Sequence, residues 1–142
     1  MLIKQISVFM ENKSGRLAEI LGLIADNGID IYALSIADTA DFGILRLIVS
    51  DTEKTKNVLK EKDILVKSNE VIGVYVENKP GGLFHIIDVL KDKGISIEYS
   101  YAFIGKNEKG ATVVMKVDKP DEAVKVLYDT DVKVVEDMDI YK

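Results

Sequence analysis

Glu11-Asn12-Lys13-Ser14-Gly15-Arg16-Leu17 returns 66 positions later as Glu77-Asn78-Lys79-Pro80-Gly81-Gly82-Leu83, and the reading of that pair decides the fold. In each copy a run of strand-forming residues stops at a polar turn with a glycine, and an amphipathic helix starts at once. Aligned without a gap, residues 8–31 and 74–97 agree at 11 of 24 positions. Two apolar-patterned segments do not reach that agreement by chance. The chain is therefore a duplication, and its function is to be sought where the copies agree.

Outward from the first turn, residues 2–10 read as a strand with Ile6, Val8 and Met10 on one face. Ser14 offers a hydroxyl that could cap the helix start. Leu17, Ile20, Leu21 and Ile24 then form one apolar stripe, and Gly28 supplies the left-handed stop. Strands at 29–37 and 44–50 flank a turn at Asp38-Thr39-Ala40-Asp41-Phe42-Gly43. Asp51-Thr52-Glu53 opens a second helix that buries Val58 and Leu59, and a short strand at 64–67 closes the unit. Within 29–37, strict alternation puts Tyr32, Leu34 and Ile36 opposite Ile29 and Ile31, so this strand is expected to be covered on both sides.

Only Ser68-Asn69-Glu70 separates this unit from the next strand, 71–76. Pro80 is expected at or just inside the second copy's helix, where its missing N–H costs nothing. Leu83, Ile86, Ile87 and Leu90 repeat the stripe and Gly94 repeats the stop. Strands at 95–104 and 111–117 flank a loop at Gly105-Lys106-Asn107-Glu108-Lys109-Gly110. A helix from Asp118-Lys119-Pro120-Asp121 carries Ala123, Val124 and Leu127, and 132–135 begins the last strand. The order strand-helix-strand-strand-helix-strand, met twice, predicts an α+β fold. It would comprise two tandem ferredoxin-like modules, residues 1–69 and 70–142, each an antiparallel four-stranded sheet with two helices on one face. Modules this small gain from docking, so a pseudo-dimer is expected.

Composition narrows the function classes. Of 142 residues, 47% are hydrophobic and 30% charged, which is the balance of a globular protein and not of a disordered chain. The start, Met1-Leu2-Ile3-Lys4-Gln5, lacks a charged stretch followed by an apolar core, so no secretory leader is expected, nor a membrane partner. The absence of cysteine excludes disulfides and thiolate metal sites and fits a cytoplasmic location. A net charge of −5 lacks the electrostatic footprint of phosphate-backbone binding, so nucleic acid is not an expected partner.

The turns resemble those of the ACT domain family, whose common form is Asn-x-Pro-Gly-x-Leu. Asn78-Lys79-Pro80-Gly81-Gly82-Leu83 matches it fully, and Asn12-Lys13-Ser14-Gly15-Arg16-Leu17 matches with serine for proline. The resemblance covers nearly the whole chain as two tandem copies with no catalytic domain attached. It implies a regulatory module that binds a small ligand, usually an amino acid, at the interface of paired domains. It also implies a ligand between the first turn of one domain and the second strand of its neighbour, and a homo-oligomer, expected as a dimer. Serine-sensing members carry a histidine two residues before the turn's asparagine; those places here are Met10 and Val76.

The chemistry of the residues agrees with that implication. A helix start carries about half a positive charge and unpaired N–H donors, a seat for a carboxylate. Gly15 and Gly81 let a ligand approach the backbone. Asn12 and Asn78 offer donor and acceptor together. Arg16 could hold a carboxylate with two parallel bonds. Asp30, at the start of the second strand, could accept from an ammonium group, and Ser96 is its uncharged counterpart. Lys13 and Lys79, with Ser14, Pro80, Gly82, Leu17 and Leu83, complete the candidate ligand contacts.

Other features read more simply. His85 is expected at the surface or in an interface. Tyr99, Tyr101 and Phe103 read as core, and Glu136, Asp137 and Asp139 as a solvated edge. No nucleophile with a base, paired carboxylates or metal cluster is legible, so no enzymatic activity, metal or cofactor is expected. A protein-binding scaffold is the alternative, with a ferredoxin-like enzyme behind it.

Overall fold

A computed structural model describes residues 2–11, 13–38, 41–104 and 109–135, with Asp38 by its backbone only. Asn12, Thr39, Ala40, the loop residues Gly105 to Glu108 and the acidic Glu136, Asp137 and Asp139 lie outside the described residues. The elements in chain order are β1 (Ile3–Glu11), α1 (Arg16–Asp26), β2 (Ile31–Asp38), β3 (Phe42–Val49), α2 (Thr52–Lys60), β4 (Leu65–Glu77), α3 (Gly82–Asp92), β5 (Ile97–Ala102), β6 (Gly110–Val117) and α4 (Pro120–Tyr128). The fold is α+β with antiparallel pairing and four helices among the described residues.

Two four-stranded sheets would need eight strands, and the described residues form six, with β2-β3-β1 hydrogen-bonded neighbours in the first copy and β4-β6-β5 in the second. Two departures from the sequence reading account for the difference. Ser68, Asn69 and Glu70 do not act as a linker but continue β4 through all 13 of its residues. Residues 132–135 add only an isolated bridge, Val74 to Val134. That bridge is flanked by two backbone bonds, Tyr75 N–H to the Lys133 carbonyl at 2.9 Å and Val135 N–H to the Gly73 carbonyl at 2.8 Å.

By its contacts the chain divides into two units, Lys4–Asn69 and Met1–Ile3 with Glu70–Lys142. In the first, β3 pairs antiparallel with β1 (Ile6 opposite Leu47, Val8 opposite Leu45) and with β2. Ile20 and Ile24 of α1 and Leu59 of α2 share one core with Ile6, Val8, Met10, Leu45, Leu47 and Val49. In the second unit, Ile86 and Leu90 of α3 and Ala123 and Leu127 of α4 share a core with Ile72, Val74, Val113, Met115 and Val117. Each pair of helices thus lies on one sheet face. Burying one such aliphatic side chain stabilises by roughly 1.5–3 kcal/mol, so these stripes hold the units together.

A β-bulge in each copy overturns the alternation read from the sequence. Between Ile31 and Ala33 the register against β3 slips, so that Ile31 faces Val49 but Ala33 faces Ile48. The extra residue reverses the parity of every position after it in the strand. Leu34 and Ile36 therefore stand opposite Leu47 and Leu45, on the same face as Ile31, and Leu34 packs on the core. The same slip between Ile97 and Tyr99 sends Tyr99 and Tyr101 to the face opposite Ile97. They are half-buried and stacked, ring centroids 6.4 Å apart, instead of entering the core. Among the described residues no helix is long and apolar enough to cross a membrane.

Candidate functional site

The two turns fold bond for bond alike. The N–H of Lys13 donates to the Glu11 carbonyl and that of Lys79 to Glu77, both at 2.9 Å. Arg16 N–H reaches the Lys13 carbonyl at 3.2 Å and Gly82 N–H the Lys79 carbonyl at 3.1 Å. Glu19 N–H reaches Gly15 at 3.0 Å and His85 N–H reaches Gly81 at 2.9 Å. The flanking charges match too, with Lys13 at 2.9 Å from Glu11 and Lys79 at 3.0 Å from Glu77. What imposes this shape is glycine at a positive φ, 84° at Gly15 and 82° at Gly81, a region costly to any residue with a Cβ.

That geometry corrects two expectations. The glycines themselves are the N-caps, so Ser14 stands one residue too early to cap and Pro80 lies outside the helix. Neither α1 nor α3 has a side-chain cap. At α2, by contrast, the Asp51 carboxylate accepts from the Lys54 N–H at 3.0 Å. The first-turn donors of Leu17 and Ala18, and of Leu83 and Phe84, are therefore not consumed by a cap. They remain at the positive end of the helix dipole. A Cβ built on Gly15 or Gly81 would meet nothing within 4 Å, so both approaches are open.

At the second turn the opening deepens into a cavity of about 360 Å³. That is near the lower end of small-molecule sites, roughly 300–1,000 Å³. Tyr75, Pro80, Ile86 and Val132 give it apolar surface, and Gly81 and Gly82 bring the helix start to its wall. Glu77, Lys79, His85, Asp131 and Lys133 supply its charged and titratable lining. His85 Nε2 lies 3.0 Å from the Asp131 carboxylate. The hydrogen bond and charge of His85, with a smaller contribution from Lys79, hold the Asp131 carboxyl below the usual carboxylate range.

A pair of substitutions separates the copies. In the first, Arg16 Nη1 is bound to Glu19 at 3.0 Å, and Arg16 Nε is buried without a hydrogen-bond partner. In the second, these positions are Gly82 and His85. Gly82 cannot carry a side chain there, because a Cβ would sit 2.5 Å from the Glu77 carbonyl oxygen. With no arginine beside it, His85 pairs with Asp131 instead.

Of the residues singled out in sequence, the cavity brings together Lys79, Pro80, Gly81 and Gly82. Asn78 and Leu83 adjoin it in sequence but do not line it; Asn78 N–H is bound to the Lys109 carbonyl at 2.9 Å. Ser96 is tied to Asp118, its N–H donating to that carboxylate at 2.9 Å, and is not part of the lining. Lys13, Ser14, Gly15, Arg16 and Leu17 form the first turn, and the Asp30 carboxylate accepts from the Ile31 N–H at 3.0 Å. Asn12 lies outside the described residues. Sequence reasoning missed Tyr75, Glu77, Asp131, Val132 and Lys133 and set His85 aside. Tyr75 and Glu77 were legible as alternate residues leading into the turn, and His85 as one helical turn beyond Gly81. Asp131 gave no signal, since the segment after α4 is placed by the Thr130 hydroxyl bonding the Leu127 carbonyl at 2.7 Å. Among the described residues no cluster of three or more histidines, cysteines or carboxylates could hold a metal ion.

A family model described as an ACT domain pair matches residues 1–142. Among solved structures, the chain is similar to protein BT0572 from Bacteroides thetaiotaomicron, with 40% identity and a TM-score of 0.93, over 100% of this chain and 97% of that one. It also shares its fold with the regulatory subunit of aspartate kinase from Thermus thermophilus, at 14% identity and a TM-score of 0.63, covering 89% of this chain and 90% of that one. The corresponding subunit from Thermus flavus gives 13% identity and a TM-score of 0.62, over 89% and 90%. No curated protein matches.

Proposed function

The chain belongs to the ACT domain pair family, and from that premise we propose that it is a regulatory sensor that binds a free amino acid. The ligand's carboxylate would sit on the uncapped start of α3, against Gly81, Gly82 and the first-turn N–H groups. The observation that carries this reading is the juxtaposition of that start with a cavity of about 360 Å³ lined by groups of both charges. A zwitterion needs both signs within a few ångströms, and an ordinary capped helix end provides neither the free donors nor the space. Aspartate kinase regulatory subunits of the same fold support a regulatory role.

The first turn, Lys13 to Leu17 with Asn12 and Asp30, is the parallel candidate in the other copy. Its Arg16–Glu19 pair makes it unequal to the second. The division into modules 1–69 and 70–142, a homodimeric state and a cytoplasmic location belong to the same proposal.

A thermal-shift screen against the twenty amino acids tests it. A ligand at 100 times its dissociation constant stabilises by about 2.7 kcal/mol, a shift of several degrees. No response to any of the twenty would remove the sensor reading. It would favour a protein scaffold, for which the exposed Leu83, Phe84 and Ile87 of α3 are the supporting observation.

A further inference from the structure

His85 and Asp131 face each other inside the proposed ligand cavity, and neither is needed to hold the fold. Both are exposed, Asp131 by 83% of its side chain. The backbone on either side of Asp131 is nevertheless fixed. Val132 N–H donates to the Thr130 hydroxyl at 3.2 Å, and Tyr75 N–H donates to the Lys133 carbonyl at 2.9 Å. Asp131 is thus a carboxylate held in place at the wall of a cavity, with the protein's own ring as its partner. The other cavity carboxylate, Glu77, is engaged by the ammonium of Lys79 at 3.0 Å. An imidazole is easier to displace than an ammonium, because it can leave as a neutral ring.

The order of charges across the cavity matches an α-amino acid. The uncapped start of α3 gives the positive end, and Asp131 gives the negative end. His85, one turn along α3, is bonded to Asp131 where a ligand's ammonium would be expected to bind. Resting on the amino-acid reading above, we infer that Asp131 is the acceptor for the ligand's ammonium and that His85 occupies that acceptor until the ligand displaces it. The specificity determinant then lies after α4, and not at Asp30 or Ser96 on the second strands.

The test is isothermal titration of the full chain with each of the twenty amino acids and with their N-acetyl derivatives, which lack the ammonium. For any amino acid that binds, Asp131→Asn lowers affinity roughly ten- to hundredfold with an unchanged melting temperature, and the N-acetyl derivative is insensitive to it. His85→Gln, which removes the competing ring from Asp131, binds at least as tightly as the parent. Equal affinity of Asp131→Asn and the parent would overturn this inference and leave the sensor reading intact. If no amino acid binds the parent chain, the sensor reading itself falls and takes the inference with it.

Discussion

Gly82, the first residue of α3, faces the Glu77 carbonyl so closely that a Cβ would stand 2.5 Å from that oxygen. The neighbour is backbone, which cannot swing aside as a side-chain end would. The matching position in the first copy carries Arg16. The copies therefore share hydrogen bonds at the turn but differ in the residue that opens the helix. Gly82→Ala should destabilise the fold by about 1–3 kcal/mol, read as a lower urea midpoint. Arg16→Ala should cost much less. Equal tolerance of both changes would contradict the close approach at Gly82.

The bulge in β2 gives a prediction that strict alternation would reverse. Leu34 packs on the core beside Leu47, whereas Ser35, its neighbour, pairs with Arg46 on the other face. Leu34→Ala is expected to cost about 2 kcal/mol, while Ser35→Ala stays within about 0.5 kcal/mol. Chemical denaturation of the two variants decides the matter. A large loss at Ser35 with none at Leu34 would place the strand in the unbulged register.

Asp131 gives a pH prediction with a definite sign. Its folded carboxyl is held below the ordinary value by the His85 hydrogen bond and charge, then by Lys79. A lowered folded value means a contribution present above the unfolded value, about 3.9, and lost as pH falls through the lower folded one. Carbon-detected NMR of the carboxyl should show a midpoint below about 3.9, and His85→Ala should bring it back toward that value. A midpoint unmoved by the substitution would remove the pair from solution. Because the group is exposed, no measurable change of global stability is expected from this pair.

Much of the fold was legible because the duplication doubled every signal. Leu17, Ile20 and Ile24, repeated as Leu83, Ile86 and Leu90, announced two equivalent helices, and Gly28 and Gly94, at φ 69° and 70°, ended them as read. The strands were harder. A bulge adds one residue without a marker of its own, so Tyr99, Tyr101, Leu34 and Ile36 changed faces without a local cue. Of the last strand of the second copy, the described residues show one bridge at Val134, which the composition of Val132 to Val135 does not mark. At the site, the turn was visible as a motif and its opening was visible as glycine. The far wall was not. Asp131 lies about 50 residues from Gly81, and only the folded path after α4 brings it to the same cavity.

Amide NMR reads out whether a small zwitterion seats on the start of α3. On titrating the chain with the amino acid giving the largest thermal shift, the backbone signals of Gly81, Gly82, Leu83 and Phe84 should move together with that of Asp131, saturating with one affinity. Saturable binding that leaves those five signals in place and shifts others would contradict the claim, as would the absence of any saturable shift.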